Sequence, residues 1–292
     1  MFSHPPLWVL AAQRYFDLTN DRDFLRLCHG AALRQVSWFR ANRRAKEGGY
    51  FYLDILTRQW ESGVDEGVRF DDAPKTNSAC VDATSHMYLL CDAVRRWVDT
   101  LGLADAAGCG AERDELGEFL RNRLYDPETG WFYDVWKRDV PSRFPECFEG
   151  CWPMIVGAAT PKQARAVADH LMNPEEFFAD HPLRTVSKKS PAYEMRMWRG
   201  PAWNSMTYWV IQGFLRWKFT AEARVLTEAL LDASAKTFAE TGNIWEFYDP
   251  SGADPVHVSR KPDRPDAPNH PCTDYLGHNP LIDLARLWDS LT

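Results

Sequence analysis

The chain has 292 residues, 45% hydrophobic and 13% aromatic, with a net charge of −7, and this content supports a sizeable globular core. The negative balance and the lack of any basic run exclude a nucleic-acid partner, because phosphate contacts require clustered Lys and Arg. No apolar run approaches the roughly 20 residues of a membrane-spanning helix, so no membrane partner is expected.

Pro5 and Pro6 suit a first helical turn, and Leu7, Leu10, Ala11, Arg14 and Tyr15 then recur at helical spacing, predicting a helix of about four turns. Asp21 is the expected N-cap of a second helix, whose stripe of Phe24, Leu25, Cys28, Ala32, Val36 and Phe39 runs toward Asn42. Residues 48–77 have no helical period and are too long for a passive connection, so this loop is expected to be functional. Further helices are predicted at Ala79–Val98, Glu112–Leu124, Phe148–Gly157, Pro161–Leu171, Gly200–Trp217, Ala221–Ala239 and Asn279–Leu291, nine in all. Tyr125 to Tyr133 forms a turn flanked by aromatics, whereas Met172–Met197 and Gly242–Gly277 are long and irregular. Long and short connections therefore alternate, which suits an all-α ring of helix pairs with its long loops gathered at one rim. No 34-residue repeat supports a tetratricopeptide array, and nothing marks a boundary, so residues 1–292 read as one domain.

Three segments on these loops carry chemistry. Trp60-Glu-Ser-Gly-Val-Asp-Glu-Gly-Val-Arg-Phe70 and Ile244-Trp-Glu-Phe-Tyr-Asp-Pro-Ser-Gly252 each set acidic residues among aromatics and glycines, and two carboxyls are the minimum for breaking a glycosidic bond. Met197-Trp-Arg-Gly-Pro-Ala-Trp203 adds indoles for stacking and a guanidinium for hydroxyls or a carboxylate. The thirteen tryptophans serve core packing or carbohydrate binding alike.

These motifs, together with Arg69-Phe-Asp71, Val81-Asp82, Ser3-His-Pro-Pro6 and Asp274-Tyr-Leu-Gly-His-Asn-Pro-Leu281, occur in an order that resembles the glycoside hydrolase family 63 type of (α/α)6 barrel. Within it the chain is similar to the bacterial mannosylglycerate and glucosylglycerate hydrolases, over nearly its whole length. The resemblance implies an inverting hydrolase of a small α-glycoside, with Asp65 as general acid, Glu246 as general base and no cofactor. It also implies an incomplete toroid, about nine helices of twelve. Ser3-His-Pro-Pro6 matches a point well inside the family's barrel, and the family's Trp-Asp motif has no equivalent before Trp60.

The residues by themselves suggest the same two roles. Asp65 lies between Gly63 and Gly67, whose backbone freedom exposes a carboxyl at a rim, and Trp60 and Phe70 would wall it and raise its pKa. Glu246 must be ionised to deprotonate water, and an exposed loop with Tyr248 near would allow that. The plainer reading, a turn-capping Asp65 and a solvated Glu246, stays open at this level. Glu61 is expected to position substrate or the acid, and Arg69 to pair with Asp65 or Asp71 or to bind substrate. Trp198, Arg199 and Trp203 would hold a sugar or an acidic aglycone, unless Arg199 caps the following helix. Tyr193 and Tyr248 are further substrate-binding candidates, and Tyr208 falls in an apolar helix and reads as core.

No metal is expected: Cys147-x3-Cys151 lacks zinc spacing, and His270, Cys272 and His278 read as structural. Seven irregularly spaced cysteines suggest reduced thiols and a cytoplasmic protein, and no export signal is read at the start. The expected partner is a small carbohydrate, with homo-oligomerisation left open. Two other functions compete: a sugar epimerase or isomerase on the same fold, relying on paired histidines, and a barrel that binds sugar without turning it over.

Overall fold

The computed structural model describes residues 2–57, 60–105, 107–260, 268–275 and 279–291. Eleven helices are described: α1 (Trp8–Thr19), α2 (Arg22–Asn42), α3 (Asp54–Thr57), α4 (Val81–Leu101), α5 (Cys109–Phe119), α6 (Val135–Arg138), α7 (Trp152–Val156), α8 (Pro161–Leu171), α9 (Asn204–Arg216), α10 (Thr220–Thr241) and α11 (Leu281–Leu291). Nine of them correspond to the predicted set. The short α3 and α6 lie inside loops, where one turn is too brief to leave a periodic signal.

Hydrogen bonds near the helix starts set several of the boundaries. The Asp21 carboxylate accepts from the Phe24 N–H at 2.9 Å, as the sequence suggests. Thr160 and Gln163 close a capping box ahead of Pro161. α5 begins three residues earlier than expected because Asp105 receives the N–H groups of Cys109 and Gly110. α9 begins four residues later, because Ala202 is drawn into extended backbone by bridges to Arg184 and Tyr248.

Burial separates inner from outer helices. α4 is buried on every side from Val81 to Cys91 and packs against α1, α2, α5 and α7, whereas α2 buries one stripe of Leu25, Cys28, Ala32, Val36 and Phe39. Trp97 of α4 is fully buried, and its indole N–H donates to Gln13 of α1 at 2.8 Å. A cavity of about 1160 Å³ is lined from α1, α4, α7, α9 and α11, among others by Leu10, Leu89, Ile155 and Leu287. These five are the staves of the ring, and α2, α5, α8 and α10 back them on the outside. Tyr208 and Trp209 of α9 face the same cavity, half-buried.

The loops carrying Asp65 and Glu246 precede α4 and α11.

Between α5 and α7 a two-stranded antiparallel hairpin, β1 (Tyr125–Asp126) and β2 (Trp131–Phe132), pairs Tyr125 with Phe132. It is seated on the turn that starts α7: a Cβ at Gly150 would collide with the Trp131 indole nitrogen and the Phe132 carbonyl. Gly150→Ala is expected to cost at least 1–3 kcal/mol, the roughly known range for overpacking a tight core, measured by urea denaturation. An unchanged midpoint would show that the hairpin can withdraw.

Candidate active site

The loop before α4 is anchored on both sides of Asp65. Upstream, Glu61 is 1% exposed and both its oxygens are taken: Arg43 donates at 2.7 and 2.8 Å, and the N–H groups of Leu53 and Ser3 at 2.7 and 2.8 Å. Ser62 gives its N–H and hydroxyl to Asp54, each at 3.0 Å. Gly63 then turns with φ +79°, a conformation that favours glycine, and Val64 returns to the core. Downstream, Arg69 is 2% exposed and is held by Asp82 of α4, by Asp134 at 3.0 Å and by Glu149 at 3.0 Å. Asp65 and Glu66 are left half-buried at the apex.

The second carboxyl is built differently. Glu246 is 6% exposed; its N–H donates to the Cys272 carbonyl at 2.9 Å, and its carboxylate accepts from the Cys272 N–H at 3.1 Å. Arg260 spans both oxygens, Nε to Oε2 at 2.7 Å and Nη2 to Oε1 at 3.1 Å. Burial alone would raise this carboxyl, but the Arg260 and Cys272 donors outweigh it and hold the pKa below the ordinary value. The charged form of Glu246 is favoured by a partly buried ion pair rather than by the exposed surroundings expected from the sequence.

The two loops meet at one rim. Glu66 pairs with Arg196, Met197 donates to the Ser259 carbonyl at 3.1 Å, Ser259 donates to Met195 at 2.9 Å, and the next residue is Arg260. Tyr275 reports the same proximity from between them. Its hydroxyl is pushed up by burial first, then by the charges of Glu246, Cys272 and Asp65, against Arg260.

Several expected contacts are corrected. Arg69 does not pair with Asp65 or Asp71; it is held by three carboxylates and lies 4.3 Å over the Phe70 ring. Phe70 thus covers Arg69 instead of walling Asp65, and Trp60 stands 48% exposed. Gly67 has φ −52°, so its role is space: a Cβ there would meet Val64 Cγ1 at 3.1 Å. Glu61 is an anchor with no surface for a sugar. Trp198 stacks on Trp203 at 3.8 Å and on Phe148 at 5.8 Å, and Trp203 has Phe247 on its other side, so neither indole offers an open face.

Arg199 is not an aglycone receptor in this arrangement, because it binds Asp71 at 2.8 Å, Glu194 at 2.8 Å and the Glu66 carbonyl at 3.1 Å. Tyr248 is 1% exposed, stacked 4.0 Å from His181, with its hydroxyl accepting from Trp245 N–H. Tyr193 remains half-buried, its ring against Gly200 and its hydroxyl donating to Met195 Sδ at 3.3 Å. Asp65, Glu246 and Trp60 thus stay at the rim, with Tyr193 half-buried nearby in the 194–199 loop's neighbourhood. Arg260 and Tyr275, which the sequence reading did not single out, join them. Tyr275 lay in a quoted motif, whereas Arg260 had no local signal.

Among the described residues, Cys80, Asp82 and Asp134 bring possible ligand atoms within 4.8 Å of one another. Arg69 already supplies their cation, and burial pushes the Cys80 thiol up, so the set does not fit a metal. All seven cysteines are free, including Cys147 and Cys151. His278 lies outside the described residues. No described helix is long and apolar enough to cross a membrane.

A helical ring with two carboxyls on loops at one rim defines an α/α-barrel of the glycoside hydrolase kind. The chain belongs to the family of the mannosylglycerate hydrolase MGH1-like glycoside hydrolase domain, which matches residues 1–261. It is 33% identical over 141 residues to the mannosylglycerate hydrolase of Thermus thermophilus, covering 46% of this chain and 31% of that protein. It is 24% identical over 275 residues to the mannosyl-oligosaccharide glucosidase GCS1 of Arabidopsis thaliana, covering 73% of this chain and 32% of the relative. The chain thus spans about a third of the length of these two relatives. The crystal structure of a GH63 mannosylglycerate hydrolase from Thermus thermophilus in complex with glucose superposes with a TM-score of 0.70 at 20% identity, over 87% of this chain and 71% of that one.

The Arg69 cluster carries one positive and three negative groups. Burial and then, against Arg69, the neighbouring carboxylates push Glu149 up to about 7; Asp134 is likewise pushed up to about 6, chiefly by burial. The folded pKa of Glu149 thus exceeds its ordinary 4.5, so its contribution to stability is present below that value and lost as pH rises through about 7. Glu149→Gln removes this loss. Its stability relative to the unsubstituted chain is expected to rise between about pH 5 and pH 8, by at most about 3 kcal/mol. Urea denaturation at both pH values checks this, and a difference that does not change with pH refutes it.

Proposed function

We propose that this domain hydrolyses the α-glycosidic bond of a small glycoside, such as glucosylglycerate or mannosylglycerate, with inversion. Asp65 protonates the leaving oxygen, and Glu246 takes a proton from the water that attacks the opposite face of the sugar. The observation that carries this reading is the unlike support of two carboxyls on one rim. Asp65 tops a doubly anchored loop within reach of solvent, while Glu246 is kept ionised by Arg260 and the Cys272 N–H. An acid needs access to the substrate oxygen; a base needs its charge.

The hydrolase and glucosidase names of the relatives support the reaction class, and the mannosylglycerate in one of those names suggests the substrate. The histidine chemistry of an epimerase finds no support in His86 and His181, both buried and both pushed down to about 4, chiefly by burial. A second reading, sugar binding without turnover, is favoured by one observation: five inner helices, rather than six, line the ring among the described residues.

The test is the anomer first released from an α-linked substrate, followed by NMR before mutarotation. Initial β-sugar is the expected product, and initial α-sugar refutes single displacement. Asp65→Asn and Glu246→Gln are each expected to lower kcat by at least about 10²-fold with little change in melting temperature. Retained turnover in either variant removes that residue from the mechanism. Sugar binding with no turnover in the unsubstituted chain selects the second reading.

A further inference from the structure

The Arg260–Glu246 pair is a two-point contact on a group that would act as base, and its geometry distinguishes the two oxygens. Oε2 accepts from Arg260 Nε at 2.7 Å and from the Cys272 N–H at 3.1 Å, whereas Oε1 accepts only Arg260 Nη2, at 3.1 Å, among the bonds described. A carboxylate oxygen has two lone-pair sites, so these donors fill Oε2 and leave Oε1 the less occupied oxygen, with the Cys272 thiol as a further hydrogen-bond partner of the carboxylate. Arg260 is itself fixed: its N–H donates to Asn269 Oδ1 at 3.0 Å, and Ser259 before it is bridged to Met195 and Met197. That bridge continues through Arg196 to Glu66, the neighbour of Asp65.

We infer that Arg260 is the positioning residue for the base, aiming Glu246 Oε1 at the hydrolytic water and locking the base loop in register with the acid loop. The inference deepens the glycosidase reading and rests on it. It also assigns Arg260 to the water side of the sugar. In single displacement the base and the leaving group stand on opposite faces, so this guanidinium is not the receptor for an acidic aglycone. The geometry explains how a 6%-exposed carboxyl stays charged. Burial opposes the charge, and the donors of Arg260 and Cys272 restore it, with the Cys272 thiol, the Tyr275 hydroxyl and Asp65 as the other titratable groups facing this corner.

The experiment compares the full chain with its R260Q and R260K variants, using carbon-detected NMR titration of the Glu246 carboxyl and the pH profile of kcat on an α-linked glucosylglycerate. In R260Q the Glu246 pKa is expected to rise by about one unit or more, the size of shift that follows loss of a contacting opposite charge. The acid limb of kcat should move up with it, and kcat at neutral pH should fall about tenfold or more. R260K, which keeps the charge but not the fork, should hold the acid limb near its original place while still lowering kcat. A Glu246 titration unmoved in R260Q overturns the inference, as does an R260K variant with full kcat. Absence of hydrolysis by the unsubstituted chain counts against the glycosidase reading instead, and the NMR titration still decides whether Arg260 holds Glu246.

Discussion

One guanidinium buried among three carboxylates fixes the acid-bearing loop. Arg69 belongs to that loop, Asp82 to the first turn of α4, Asp134 to the segment after the hairpin, and Glu149 to the turn that starts α7. Four segments far apart in sequence are thereby tied at one point, four residues from Asp65. An Arg suits this position because its planar fork offers five donors in fixed directions; a Lys would present one point charge to partners on several sides. The arrangement is not neutral, and burial first, with the neighbouring carboxylates adding to it against Arg69, keeps Glu149 and Asp134 readier to take a proton than ordinary carboxyls. The ring gains a defined rim from a cluster that is itself electrostatically loaded.

The rim then supports its two carboxyls by opposite means. Asp65 stands at an apex because its neighbours turn inward: Glu61, Ser62, Val64, Val68 and Arg69 are all buried, and Gly63, Asp65 and Glu66 are left toward the surface. Glu246 is drawn inward by a reciprocal backbone contact with Cys272 and is kept charged by Arg260. Between the loops, the 195–197 and 259–260 segments form a short common seam. A displacement of either carboxyl would have to break that seam or the Arg196–Glu66 pair.

The aromatic residues that look like a carbohydrate platform form the wall behind the site. Trp198, Trp203 and Phe247 form one stack with Phe148 at its end, and Tyr248 lies flat on His181. Gly200 permits this close packing, since a Cβ there would stand 2.6 Å from the Glu194 carbonyl and 2.9 Å from the Tyr193 ring. The glycine of the Trp-Arg-Gly-Pro segment is therefore a packing requirement, and the whole motif is a brace for the rim.

Local chemistry in the sequence determined the helices, the Asp21 cap, the order of long and short connections, and the two carboxyl motifs on long loops. These depend on residues within a few positions of one another: the stripe of α2 repeats at every third or fourth residue, and an N-cap needs only its own first turn. The tertiary structure alone decided which motif residues face a ligand. Glu61, Arg69, Arg199 and Tyr248 have the chemistry of sugar-binding groups, and each is satisfied by a partner brought near by folding. Arg43 satisfies Glu61, Asp82 and Glu149 enclose Arg69, Asp71 holds Arg199, and His181 covers Tyr248. Arg260 shows the converse: it carries no local mark, and it became part of the site because the fold laid it across Glu246. A polar side chain binds whatever partner lies closest in space, and that distance is set by long-range packing rather than by its neighbours in the chain.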